Sequence, residues 1–288
     1  MLTWHVGDVT IKCIVELRSA IAYDPAAPFI EGASPDALAQ IPWLQPHFVS
    51  PEGHLLFAVQ ALLVEAPGLK LVVDTCIGND KPRRVTRNVG LRTGFLQRLA
   101  NAGWQRDDAT AVVCTHLHID HIGWNTMWEN ERWVPTFPRA RYLIDRREYE
   151  FWAADVEDDE QVAAMSDSIA PLFSAGLVDL VDPDHVLSPE VRLAPTPGHT
   201  PGHVSVFIES QGARAVITGD TMHHPSQIAR PHWTARFDSD HATANATRAR
   251  LLAQWADQPI LVIGTHFPAP TAGYIRRDGG TYLFHVTG

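Results

Sequence analysis

The stretch 112–123, V-V-C-T-H-L-H-I-D-H-I-G, constrains this chain more than any other. Its first half is a short apolar, β-branched run with the composition of a buried strand. Four residues of metal-ligating type follow within six positions: His116, His118, Asp120 and His121. In extended backbone, alternate side chains share a side, so His116 and His118 are expected to point the same way. Asp120 and His121 fall at the turn that follows and can face a second point beside the first. Imidazole and carboxylate are ligands that zinc, manganese or iron accepts readily.

Three later segments repeat the form of a strand ending in a small-residue turn with a ligand at its tip. They are T-P-G-H-T-P-G-H (His199), V-I-T-G-D-T (Asp220) and V-I-G-T-H-F-P (His266). Loops at strand ends are where a rigid scaffold presents functional side chains. With the first motif they supply five histidines and two aspartates, enough for two metal sites. His203 repeats the Pro-Gly-His pattern four residues after His199 and reads as structural. The strand before Thr75 ends in V-V-D-T-C, which puts Asp74 at another strand tip.

The 288-residue chain is 45% apolar and only 19% charged, so a substantial core is expected and disorder is not. A net charge of −10 and a pI near 5.8 argue against nucleic-acid or anionic-membrane partners. The densest basic cluster, Lys81, Arg83, Arg84 and Arg87, is short and reads as a solvated loop. No basic-then-apolar leader opens the chain and no apolar run reaches membrane-spanning length, so a cytoplasmic protein is expected. Cys13, Cys76 and Cys114 are odd in number and widely spaced, and read as free buried thiols.

Alternation predicts strands over 3–17, 54–65, 70–74, 140–144, 178–181, 191–195, 204–209, 213–218 and 260–263, with a closing pair at 274–276 and 281–286. Helical spacing covers 91–102, 146–152, 157–173 and 241–255, with a short helix at 34–40 inside an irregular Pro-, Ala- and Gly-rich segment, 24–53. Residues 124–138 read as an aromatic loop. No linker divides the halves, so one domain over 1–288 is expected, of α+β class, with two sheets between helix layers.

H-L-H-I-D-H, then Gly-His, Gly-Asp and Gly-Thr-His, in this order and spacing, resembles the metallo-β-lactamase superfamily. The resemblance implies a four-layer αββα sandwich. It implies one metal on His116, His118 and His199, a second on Asp120, His121 and His266, and Asp220 bridging them. Asp74 would accept a hydrogen bond from a ligand histidine. Two Zn2+ ions are the implied cofactors, with Mn2+ or Fe2+ as alternatives. Such a pair, roughly 3.5–4 Å apart, lowers the pKa of a shared water and supplies a hydroxide nucleophile near neutral pH. Asp120 would relay a proton to the leaving group.

The segment F-D-S-D-H-A-T-A-N-A-T-R with G-T-H-F-P-A-P-T-A-G is similar to the branch holding N-acyl-homoserine lactone lactonases and methyl parathion hydrolase. That likeness implies opening of a lactone, or cleavage of a carboxylic ester with an apolar acyl or aryl group. The alternatives are a phosphotriesterase and a non-catalytic small-molecule sensor; a flavin-dependent diiron oxidoreductase would need a further module. A small-molecule substrate and a homodimer follow from the same likeness. Lactonases carry a Tyr three residues after the bridging Asp, whereas this chain has His223, which would donate a hydrogen bond or a proton there. Trp124, Trp233 and Phe267 are expected to line the substrate pocket.

Overall fold

Strand side chains alternate between faces, and here each face meets a different layer. In the computed structural model, residues 1–155 and 157–286 are described; the expected domain runs to Gly288, and Val156, Thr287 and Gly288 lie outside the described residues. One sheet contains β1 (Thr3–Val6), β2 (Val9–Ile21), β3 (Leu55–Ala66), β4 (Leu69–Val73) and β5 (Ala111–Cys114). A separate hairpin follows, β6 (Thr126–Glu129) with β7 (Arg132–Pro135), and then β8 (Arg141–Asp145) and β9 (Val178–Val181) complete the seven-stranded sheet. The second sheet runs in chain order through six strands: β10 (Val191–Pro195), β11 (Val204–Ser210), β12 (Ala213–Ile217), β13 (Ile260–Ile263), β14 (Ala272–Asp278) and β15 (Thr281–His285).

Leu71, Val73 and Val113 of the first sheet meet Leu193, Val204, Val206 and Ile217 of the second in one inter-sheet core. Their neighbours Val72 and Val112 turn to the opposite face, under Phe95 and Leu99 of a helix at Phe95–Asn101 and beside Trp104 and Tyr142. On the far side, Val216 and Val262 pack on Leu251, Leu252 and Trp255 of the helix His241–Trp255. Leu38, Ile41, Leu44 and Phe48 of the irregular N-terminal segment share that layer. The result is the expected helix–sheet–sheet–helix order. Among the described residues, no helix is long and apolar enough to cross a membrane.

Several expectations change on folding. The expected strand 3–17 is two strands, turning at Gly7 with φ +56°, where an added Cβ would lie 2.4 Å from the Ser210 carbonyl oxygen. The expected aromatic loop contains the β6–β7 hairpin, because Asn130 and Glu131 both take positive φ and form the mirror-image turn that suits strand twist. The expected helix 157–173 breaks into Asp159–Ala164, a wide turn at Met165–Ile169, and Ala170–Ser174, whose Pro171 has no N–H to give the preceding turn.

Only half of the basic cluster is solvated: Arg84 and Arg87 are exposed, but Lys81 and Arg83 are fully buried. Lys81 Nζ donates to the carbonyls of Gly123 (2.8 Å) and Thr126 (3.0 Å) and to Thr126 Oγ1, and lies 3.9 Å from the Trp133 ring centroid. Arg83 donates twice to the Asp167 carboxylate, at 2.7 and 2.9 Å. These partners lie 42 to 84 residues away, so local composition carries no sign of them.

Candidate metal centre

β4, β5, β12 and β13 deliver their following loops to one edge of the sandwich, where β10 also turns into β11. Backbone bonds lock the edge together. Thr75 N donates to the His121 carbonyl (2.6 Å), Val204 N to Thr115 (2.9 Å) and Ala58 N to His266 (3.0 Å). His118 Nδ1 lies 2.8 Å from His199 Nε2, which lies 3.2 Å from His116 Nε2. Beside this group, His121 Nε2 and His266 Nε2 are 3.1 Å apart. The two Asp120 oxygens lie 3.6 Å from these two nitrogens, one from each. Asp220 Oδ2 sits between the groups, 3.9 and 3.6 Å from His116 and His199 Nε2, and 3.4 and 3.1 Å from His121 and His266 Nε2. All seven residues singled out from the sequence therefore converge.

Four imidazoles have their tautomer set from outside. His121 Nδ1 faces Asp74 Oδ2 (2.9 Å), His199 Nδ1 faces Asp238 Oδ1 (2.9 Å), and His266 Nδ1 faces the Ala58 carbonyl (2.8 Å). His116 Nδ1 lies 3.1 Å from Thr115 Oγ1, whose own proton goes to Asp74. An N–H on each Nδ1 leaves a lone pair on each Nε2, aimed inward. Unprotonated nitrogens 2.8–3.2 Å apart repel unless a cation lies among them. Donor type and orientation thus fit two divalent cations of the zinc kind.

The charge balance differs between the two groups. Burial, then the neighbouring imidazoles, hold His116 and His199 well below the ordinary histidine range, and burial brings His118 down to about 4. For His121 and His266 burial works in the same direction, but Asp220 and Asp120 outweigh it and hold both above that range. Burial of Asp220 is likewise overcome by His266 and His121, which keep its carboxyl well below normal. The second group is an anionic nest whose carboxylates hold positive charge close.

The Metallo-beta-lactamase superfamily model matches residues 55–266, most of the chain and every donor in the cluster. The chain belongs to the metallo-β-lactamase superfamily. An N-acyl homoserine lactonase of Bacillus thuringiensis is 28% identical over 233 residues, 75% of this chain and 84% of the relative. A probable metallo-hydrolase of Bacillus subtilis (strain 168), YflN, is 30% identical over 126 residues, 39% of this chain and 44% of the relative. AidC, described as a dizinc quorum-quenching lactonase, superposes with a TM-score of 0.82 at 21% identity, covering 99% of this chain and 97% of AidC. The hydrolase AbOPH gives 0.80 at 21% identity, covering 100% and 97%. Like its metallo-β-lactamase relatives, this chain is a metal-dependent hydrolase.

Within this metallo-β-lactamase fold, Asp74 accepts from Thr115 N (2.8 Å) as well as from Thr115 Oγ1 and His121. His203 Nε2 accepts from Asp220 N (2.8 Å), and its Nδ1 faces Thr196 Oγ1, so it holds the Asp220 turn from behind. His223 Nε2 lies 3.2 Å from Asp220 Oδ2, and among the described residues its buried Nδ1 has no hydrogen-bond partner.

The expected pocket aromatics are elsewhere. Trp124 stacks on Phe95 at 5.0 Å and donates from Nε1 to Glu16, while Trp233 and Phe267 belong to the core under the second sheet. Phe267 directly follows His266, and successive side chains point to opposite sides, so it is turned toward the core. The rings that do approach the centre are Phe57, stacked on His266 at 4.2 Å, Phe29, edge-on to Phe57, His223 and Phe237, and Trp152, edge-on to His118.

Sequence reasoning also missed two buried carboxylates, Asp238 and Glu148. Asp238 lies in the F-D-S-D-H segment, a usable signal; it holds His199 and also accepts from Ala235 N (3.2 Å) and Arg248 (3.5 Å). Glu148 gave none, since in R-R-E-Y-E-F it looks solvent-facing.

Proposed function

We propose that this hydrolase uses two Zn2+ ions to open a lactone or cleave a carboxylic ester bearing an apolar acyl or aryl group. The observation that carries the reading is the single Asp220 oxygen lying within 3.1–3.9 Å of donors from both groups, with aromatic rings at their rim. His116, His118 and His199 would hold one ion, Asp120, His121 and His266 the other, and Asp220 both. Bound there, the pair would polarise the scissile carbonyl and supply hydroxide near neutral pH.

The chain's own residues do the rest. Asp120, whose side chain is 24% exposed, is the carboxylate of the cluster that reaches the opening, and it would pass a proton to the departing alkoxide. Among the described residues nothing accepts a hydrogen bond from His223 Nδ1, which favours the proton on Nε2 and makes that atom a donor directed into the centre. Phe29 and the half-exposed Phe237 would seat the apolar part of the substrate and keep water from it. The lactonase relatives support the lactone among carboxylic esters.

The test is metal content per chain together with turnover of an acyl-homoserine lactone, an aryl acetate and an aryl phosphotriester. Two zinc ions and chelator-sensitive hydrolysis of the first two are expected. Preference for the phosphotriester would overturn the substrate class, and tight small-molecule binding without turnover would make the protein a sensor.

A further inference from the structure

Glu148 is a fully buried carboxylate in the first turn of the helix Arg146–Ala154, outside the donor set. Its Oε1 accepts from Leu117 N (3.0 Å) and from Trp152 Nε1 (2.7 Å), and its Oε2 accepts from Gly202 N (3.0 Å). Leu117 lies between His116 and His118 on the loop after β5. Gly202 lies three residues beyond His199, on the turn between β10 and β11. One carboxylate therefore ties together the two ligand loops of the first group, which come from different sheets. The approach is close: a Cβ on residue 202 would lie 2.3 Å from Glu148 N. Gln161 Nε2 closes the arrangement by donating to the Leu117 carbonyl (2.7 Å).

Trp152 adds a second link. The other four imidazoles of the donor set have an outer partner for Nδ1, but among the described residues none holds the outer Nε2 of His118. The Trp152 ring packs edge-on against His118 instead, at 5.1 Å and 61°. Glu148 fixes that indole through Nε1. By contrast, among the described residues Glu148 makes no hydrogen bond to His121, His266 or Asp120.

We propose that Glu148 is a positioning residue for the first metal position alone, setting the spacing of His116, His118 and His199 while leaving the second position untouched. The inference rests on the two-metal reading above. All three partners are N–H donors, so the group must accept at both oxygens. A glutamine accepts at one and turns an NH2 toward a backbone or indole N–H at the other.

The experiment is stepwise zinc titration of metal-free full-length chain against a chromophoric chelator, for wild type, Glu148→Gln, His199→Ala and His266→Ala. The two histidine variants identify which binding step belongs to which position. Glu148→Gln is expected to weaken the step that His199→Ala removes by about 10- to 100-fold, the usual effect of losing an outer partner, and to leave the other step unchanged. Unchanged affinity at both steps, equal weakening of both, or a loss confined to the His266 step would each overturn the proposal. Should Glu148→Gln not fold, Glu148→Asp keeps the charge but is too short to span both loops, and the same selective loss is expected of it. A wild-type chain that takes up no zinc would instead overturn the two-metal reading itself.

Discussion

Replacing Asp74 by Asn is the sharpest probe of the second metal position. Asp74 sits at φ +56°, a left-handed conformation that Asn also tolerates, so the backbone is not disturbed. The aspartate accepts three hydrogen bonds, two at Oδ2 and one at Oδ1. An asparagine keeps at best the pair at its oxygen, from Thr115 Oγ1 and His121, and then points its NH2 at Thr115 N. That leaves a buried N–H facing a donor, at a cost of about 1–3 kcal/mol. The bond to His121 also falls from charge-assisted to neutral, roughly halving its strength. We expect metal-free Asp74→Asn to lose stability by that amount in urea unfolding. Zinc affinity should fall by about 10- to 100-fold at the step that His266→Ala removes and not at the other. Undiminished binding at that step would refute the reasoning and reduce Asp74 to a turn residue.

Other perturbations separate the remaining roles. His223→Phe should lower kcat by about 10²–10⁴-fold with zinc content intact, the scale of a lost proton donor; an unchanged kcat would take His223 out of the chemistry. Phe29→Ala should cost about 1.5–3 kcal/mol of apolar contact, read as a rise in KM for long-chain acyl lactones beside short-chain ones. Equal KM changes for both chain lengths would refute a role for Phe29 in seating the chain. Burial pushes Lys81 down to about 7, against the attraction of Asp167, while the unfolded chain keeps its proton to near 10.5. Stability should therefore rise with pH above 7, by up to about 1.4 kcal/mol per unit. Urea midpoints of wild type and Lys81→Met compared between about pH 6.5 and 8.5 check this, and a flat difference would mean that the ammonium stays charged against Trp133.

The sequence by itself determined the donor set, because each member sits in a local pattern of strand, small-residue turn and donor that needs no partner to be legible. H-L-H-I-D-H and the turns at His199, Asp220 and His266 announce themselves within a few residues, and so does the capped, periodic helix His241–Trp255. The layered fold followed from the same periodicity, since Val72 and Val73 must face opposite ways. What surrounds these donors was decided only by the tertiary structure. Glu148, Asp238, Lys81 and Arg83 carry charges that read as surface in their own segments, and each becomes a buried hub through partners 10 to 84 residues away. Phe29 and Phe57, not Trp124, Trp233 or Phe267, ring the centre, because which side of a turn faces the site depends on how two sheets and an irregular segment pack. Donor identity is a local property of the chain, whereas burial and orientation are properties of the assembled sandwich.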